Sequence, residues 1–175
     1  AGPGFINFFV KSTSFAPLIK HVLESKDDYG KQNYGQGKKY DVEFVSANPT
    51  GDLHLGHAWQ AALGDCICNL LEFVGYDVTR EYYVNDAGVQ ILKLSQSIYA
   101  RYQQALGMDV AFPEDGYHGR DIIAFANTLK EKYGDSLLDK PLTYFREIGI
   151  EHELDKIRKD LDYFRVHFDV YSHEV

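Results

Sequence analysis

Two histidines separated by a leucine and a glycine are the residues best placed for chemistry. The segment His54-Leu55-Gly56-His57 has the form His-x-Gly-His and stands just ahead of a helical pattern. At a helix N-terminus, residues three apart share a face, so both imidazoles can meet one ligand beside unpaired backbone N–H groups. That arrangement suits an anion such as a triphosphate. Gly56 would let a flat base approach the backbone, because any side chain there would intrude.

Two other interpretations of these histidines were weighed. A zinc site would need a third ligand, and His-x-x-His has neither the i, i+4 spacing nor the glutamate of a metalloprotease helix, so we predict no protein metal site. The histidines could also be ordinary polar residues at a helix start. His-x-Gly-His occurs in several kinds of adenylyl-transferring enzyme, and its position directly after a strand favours that chemistry.

Alternating strands and helices position this motif. A β-rich segment at 40–46 runs into the breaker cluster 47–51, and a helical pattern follows as far as Gly75. A strand over 77–84 comes next, and Asn85-Asp86 can cap a helix whose apolar stripe is Ile91, Leu94, Ile98, Tyr102 and Leu106. The order predicts an α/β protein with a Rossmann-like, doubly wound parallel sheet, whose ligands bind at the C-terminal strand ends.

The remaining segments predict the domain organisation. We expect residues 1–25 to end a small N-terminal α/β domain, residues 26–39 to form a polar linker, and residues 40–110 to form the first half of the Rossmann-like domain. Two helical patterns place a helical insertion at 111–165. A β-rich run at 168–171 predicts that residues 166–175 return to the sheet.

Composition narrows the class of protein. With 175 residues, 45% hydrophobic and 14% aromatic, the chain is predicted to be globular. No apolar run is long enough for a membrane span, and no secretory signal is visible, so we expect a cytoplasmic protein without membrane contact. Cys66 and Cys68, two apart in a helical pattern, suit neither a disulfide nor a zinc site.

Charge argues against one kind of partner for this segment by itself. The net charge of −8 is unfavourable for binding the phosphates of a nucleic acid, which normally requires a basic face. It is compatible with a catalytic segment whose nucleic-acid-binding surface lies elsewhere in a longer polypeptide. The start at Ala1 and the end at Val175 lead us to expect a piece of something larger, a removed Met or a trimmed chain being the alternative.

The sequence resembles the arginyl-tRNA synthetase family over essentially its whole length. Residues 43–57 are similar to that family's first-strand segment with the HIGH motif of class I synthetases. Residues 2–8 resemble the end of its N-terminal domain, residues 80–90 its second-strand segment, and residues 116–119 a Gly-Tyr-x-Gly signature. The resemblance implies an arginine–tRNA ligase that uses ATP with Mg²⁺, and whose partners are L-arginine and tRNA(Arg).

The resemblance also implies roles for single residues. Glu43 is predicted to bind arginine, because a buried carboxylate needs a partner and a guanidinium meets it bidentately; a solvent-facing strand residue is the alternative. Asn48 would bind the amino acid's polar groups, or else is a turn residue. Ser46 is predicted to contact arginine or to pack in the strand, and Asn7 to reach the site from the N-terminal domain. His54, Gly56 and His57 would bind ATP, and both histidines would be catalytic.

Three departures from the family pattern limit what is carried over. Asp52 stands where the family often has Pro, which affects loop stiffness more than chemistry. Asp121 stands where Tyr is usual, so no role is transferred to it. No KMSKS-like segment is found, since Lys11-Ser12-Thr13-Ser14 lies at the wrong end of the chain. We therefore expect the chain alone to activate arginine weakly or not at all. Another adenylyl-transferring enzyme and a non-catalytic synthetase-derived module are the alternatives.

Overall fold

The computed structural model describes residues 2–174 and shows strands and helices in alternation. The elements in chain order are α1 (Phe15–Ser25), β1 (Lys39–Glu43), α2 (Leu55–Phe73), β2 (Asp77–Val84), α3 (Gly88–Ala105), α4 (Arg120–Tyr133), α5 (Leu142–Tyr163) and β3 (Val170–His173), with 3₁₀ turns at Ser12–Ser14 and Lys26–Asp28. The predicted helices and strands are present, so the α/β class is confirmed.

The three strands form one parallel sheet in the order β1-β2-β3. Glu43 pairs with Glu81, and Glu81 pairs in turn with Val170. Parallel neighbours need a crossover connection: α2 supplies it between β1 and β2, and α3 to α5 supply it between β2 and β3. All three strands therefore end at the same edge of the sheet, which confirms the Rossmann-like arrangement and the returning strand.

Two apolar clusters hold the helices to the sheet and to each other. The first lies between the sheet, α2, α3 and α5, and includes Tyr82, Val84, Ile91, Leu154 and Leu161. The second joins α3, α4 and α5, and includes Leu94, Ile98, Tyr102, Leu129 and Phe145. The predicted stripe of α3 is thus confirmed as a core face.

The two faces of the sheet differ. Phe44 packs against the first cluster, and a Cβ added to Gly64 of α2 would lie 2.3 Å from its ring. Successive strand residues point to opposite faces, so Glu43 is directed away from α2. Asp41 and Glu81 share that second face, where a hydrogen bond with Glu81 and the nearby carboxylates raise the pKa of Asp41.

One local expectation needs correction. Asn85 and Asp86 do not cap α3, whose N-cap is Ala87 without a side-chain bond. Asp86 instead binds the imidazole of His173 at 2.8 Å, because β3 ends beside this loop. In α2 the buried residues are Ala61, Gly64 and Cys68, whereas larger apolar residues such as Leu63 and Leu70 are 53% and 66% exposed.

The second part of the segment ahead of β1 is hydrogen-bonded to the end of α2. Helix α1 buries no residue. The amides of Gln32 and Gly35 donate to the carbonyls of Phe73 and Val74 at 3.1 and 2.9 Å. The domain boundaries at 25 and 39 stay predictions. None of the helices within residues 2–174 combines the length and the apolar character needed to cross a membrane.

Candidate active site

The two histidines of the His-x-Gly-His segment form a reciprocal cap at the start of α2. His54 is the N-cap residue, with extended backbone at φ −117° and ψ 174°. The Gly56 amide donates to His54 Nδ1 at 3.1 Å, and the His54 amide donates to His57 Nδ1 at 3.2 Å. The rings stack, with centroids 3.7 Å apart and planes 14° from parallel. Two helix-end N–H groups are satisfied in this way, as in a capping box.

This cap determines which ring nitrogens carry protons. Because each Nδ1 accepts a hydrogen bond, each neutral imidazole holds its proton on Nε2, an assignment that follows from the two amide donors. Burial, and then the charge of His54, lower the pKa of His57. The arrangement therefore presents two Nε2–H donors from neighbouring rings beside the positive end of a helix dipole.

Gly56 is required by the cap itself. A Cβ at this position would lie 2.9 Å from His54 Cε1 and 3.1 Å from its Nδ1. The glycine therefore leaves space for the His54 ring to fold back over the first turn. This is a reason for glycine that the sequence did not indicate, and the predicted approach of a base to Gly56 stays a prediction.

The chain leaves β1 through a tight, strained turn. Val45 and Ser46 have φ of +66° and +39°, and the Ser46 amide donates to the Phe44 carbonyl at 2.9 Å. Positive φ is costly for a β-branched residue and is found where the surroundings enforce it. Here the Tyr83 amide donates to Ser46 Oγ at 3.1 Å. The Ser46 hydroxyl is thus used to hold the turn against β2, and its contact with an amino acid stays a prediction.

The loop after this turn is held from two sides. The buried Tyr82 hydroxyl donates to the Ala47 carbonyl at 2.8 Å. Asn48 Nδ2 donates to Gln90 Oε1 at 2.8 Å, which orients the Asn48 amide toward the start of α3. Sequence reasoning missed Gln90. The one feature of the sequence that singled out Gln90 was its position at the end of segment 80–90, which resembles the family's second-strand segment. No residue of that segment was assigned a role.

The predicted site residues line separate hollows. Glu43 and Ser46 border a hollow of about 380 Å³ between β1 and α2. Asn48 borders one of about 280 Å³ with Asn85, Gly88, Gln90 and Glu174. The histidines border a third, of about 370 Å³, which is also lined by Asp160, Leu161 and Tyr163 at the end of α5 and by Phe164 just after it.

Glu43 and Asn48 border different hollows, and the turn at Val45 and Ser46 lies between them in the chain. Glu43 is exposed: its strand position directs its side chain to the face opposite α2, while the residue also borders the hollow that α2 lines. Asn7 lies in an exposed segment that lines none of these three hollows. The binding roles of Glu43, Asn48 and Asn7 stay predictions.

Comparisons with known proteins agree with the fold and the motif. The sequence profile of the tRNA synthetases class I (R) catalytic domain matches residues 18–118. An arginine–tRNA ligase of Bacillus subtilis is 54% identical over 178 residues, which cover 99% of this chain and 32% of that protein. A relative of the same name from Halalkalibacterium halodurans is 56% identical over 97% of this chain and 31% of its own length.

A solved structure shows the same architecture. A Campylobacter jejuni protein described as an arginyl-tRNA synthetase superposes with a TM-score of 0.84 at 33% identity, over 94% of this chain and 37% of that chain. This chain thus spans about a third of the length of the curated relatives it matches. With its parallel sheet, its histidine-capped helix and a family match over residues 18–118, the chain belongs to the class I arginyl-tRNA synthetases.

Proposed function

We propose that this chain supplies the first half of the active site of an arginine–tRNA ligase. The reaction joins L-arginine to ATP as arginyl-adenylate with release of pyrophosphate, and then transfers arginine to the terminal ribose of tRNA(Arg). The observation that carries the proposal is the pair of Nε2–H donors at the start of α2, fixed by the reciprocal cap. We also propose the cytoplasm as its location.

His54 and His57 stabilise negative charge in the first step. The arginine carboxylate attacks the α-phosphorus of ATP, an oxygen–phosphorus bond forms, and the bond to pyrophosphate breaks. The carboxylate is already a competent nucleophile, so the protein contributes positioning and charge stabilisation. Two preorganised N–H donors and the helix N-terminus can supply both at the phosphates. Mg²⁺ enters with ATP, held mainly by phosphate oxygens and water.

The carboxylates on the second face of the sheet form the proposed binding site for the guanidinium of arginine. Glu43 and Glu81 are paired neighbours, and Asp41 is close enough to Glu81 for its pKa to be raised by a shared hydrogen bond and by repulsion. A carboxyl group with a raised pKa is stabilised in its charged form when a cation binds beside it. The guanidinium of arginine would pair with Glu43 at the end of β1, and Ser46, Asn48 and Asn7 are our further candidates for contacts with the rest of the amino acid.

Pyrophosphate exchange tests the proposal in a complete enzyme. We would replace the matching segment of the Bacillus subtilis relative by this chain and call the product the grafted enzyme. We expect arginine-dependent exchange, no exchange with lysine, and aminoacylation of tRNA(Arg). The isolated chain should exchange weakly or not at all, because the rest of the site is absent from it. A folded grafted enzyme without arginine-dependent exchange would overturn the proposal.

Binding measurements on the isolated chain separate the alternatives. Calorimetric titration with ATP and with a panel of amino acids should detect ATP and a preference for arginine. ATP binding without any amino-acid preference would indicate another adenylyl-transferring enzyme. Binding of neither would indicate a non-catalytic synthetase-derived module. In each case the His54→Ala/His57→Ala double variant serves as the control, and it should weaken ATP binding only.

A further inference from the structure

A single lysine on α5 binds three carboxylates from three parts of the chain. Lys156 Nζ lies 2.8 Å from Asp52 Oδ1, 3.0 Å from Glu153 Oε2 and 3.3 Å from Asp121 Oδ2. Asp52 is in the loop two residues ahead of His54, Asp121 is in α4, and Glu153 is one turn earlier in α5. The ammonium therefore connects the histidine loop to both helices of the insertion.

The inner part of this cluster is buried and the outer part is exposed. The Glu153 side chain is 1% exposed, and its Oε1 has no hydrogen-bond partner among the described atoms. Burial raises the pKa of Glu153. Burial alone would lower the pKa of Lys156, but the hydrogen bonds from Lys156 to Asp52 and Glu153 outweigh it and raise that pKa, so Lys156 stays charged. The Asp52 side chain, in contrast, is 72% exposed.

The other contacts of the loop show what this link adds. Tyr82 and Gln90 hold the first part of the loop, at Ala47 and Asn48. Lys156 holds its second part, at Asp52, close to the N-cap residue. The last turn of α5 also forms the opposite wall of the hollow that the histidines border. An ion pair from Lys156 to Asp52 therefore fixes the distance between the histidines and that wall.

We propose that Lys156 is a positioning residue that acts through Asp52 to hold the His54–His57 cap in place. Its importance for catalysis rests on the function proposed above, whereas its effect on the order of the loop does not. Lys156 touches no reacting group: it fixes the path of the loop into α2, and the loop sets where both Nε2–H donors point.

Amide exchange in the isolated chain tests this proposal without relying on activity. The amides of His54, Gly56, His57 and Ala58 all donate within the cap and the first turn. In Asp52→Asn, Lys156 keeps Glu153 and Asp121, so the thermal unfolding midpoint should not change. We expect the four amides to exchange about two- to fivefold faster, the range that one partly exposed ion pair supports.

Matched variants make the result specific. Lys156→Arg should keep the exchange rates of the cap amides at their wild-type values. Lys156→Met should raise these rates at least as much as Asp52→Asn does. Adding Asp52→Asn to Lys156→Met should produce no further change in the cap amides. Lys159→Met is the control, because Lys159 lies on the same helix and, among residues 2–174, pairs only with Asp155, at 2.5 Å. It should leave the cap amides unchanged.

Two results would overturn the proposal. One is unchanged exchange at the four amides in Asp52→Asn. The other is faster exchange that extends equally to the core strand β2, which would show general destabilisation rather than positioning. ATP titration tests the proposed function separately from the role of Lys156. Failure of the wild-type chain to bind ATP would contradict the proposed function, while the amide-exchange result would still decide the role of Lys156.

Discussion

His57 caps α2 in this structure and is proposed to stabilise the phosphates of ATP, and two substitutions can separate these roles. Its Nδ1 accepts the His54 amide at 3.2 Å, and its Nε2–H is available to a ligand. In His57→Asn the amide oxygen can replace Nδ1 as the acceptor, but the outer donor is lost. In His57→Lys the ammonium can replace Nε2–H as the donor, but no acceptor remains for the His54 amide.

The expected magnitudes differ enough to distinguish the two functions. Losing a preorganised donor to a charged transition state typically slows chemistry about 10²–10³-fold, whereas losing a capping acceptor costs about 1 kcal/mol of stability. We therefore expect His57→Asn to slow adenylate formation by that factor with near-normal stability. His57→Lys should lose about 1 kcal/mol of unfolding free energy and keep most of the rate, and His57→Ala should show both losses.

Single-turnover formation of arginyl-adenylate in the grafted enzyme measures the rate of the chemical step. Urea unfolding of the isolated chain measures how much stability the cap contributes. Dissociation constants for arginine and ATP complete the assay. The constant for arginine should hardly change in any of the three variants, since interactions formed as charge builds affect the barrier rather than the ground state. If His57→Ala leaves the chemical step unchanged and only raises the ATP dissociation constant, the histidines are ground-state binding groups and the catalytic role is wrong.

Three further predictions follow from the same site. Glu43→Gln should weaken arginine binding about 10- to 100-fold, as for loss of a charge-assisted hydrogen bond, with ATP binding unchanged in calorimetric titration; an unaffected arginine constant would contradict its role. Gly56→Ala should displace the His54 ring, because the added Cβ would lie 2.9 Å from it, and slow single-turnover adenylate formation about 10- to 100-fold; an unchanged rate would contradict the need for glycine there. The lowered pKa of His57 means that the unfolded chain binds this proton more tightly, so its contribution to stability is complete above about pH 6.5 and is lost as pH falls toward the folded-state pKa. Urea unfolding at two pH values should show a larger loss on acidification for wild type than for His57→Gln, and equal losses would contradict this assignment.

Local features of the sequence were sufficient to predict the elements. Periodicity predicted the helices, because an apolar stripe must recur every 3.6 residues to be buried, and Ile91, Leu94 and Ile98 do so. The breaker cluster at 47–51 indicated where the first strand ends. The position of His-x-Gly-His between the first strand and its helix was enough to predict two histidines at a helix N-terminus, because residues three apart share a face wherever a helix begins.

Contacts between distant segments were decided only by the tertiary structure. The turn at Val45 and Ser46 reverses the chain through positive φ angles that the residue types disfavour, and so places Glu43 and Asn48 in different hollows. Asp86 binds His173 of β3 and does not cap α3. The sequence left Asp52 and Asp121 as two unrelated departures from the family pattern, 69 positions apart by their numbers (121 − 52). Both meet Lys156, because ion pairing depends on distance through space, which the packing of α5 against α4 and the histidine loop determines.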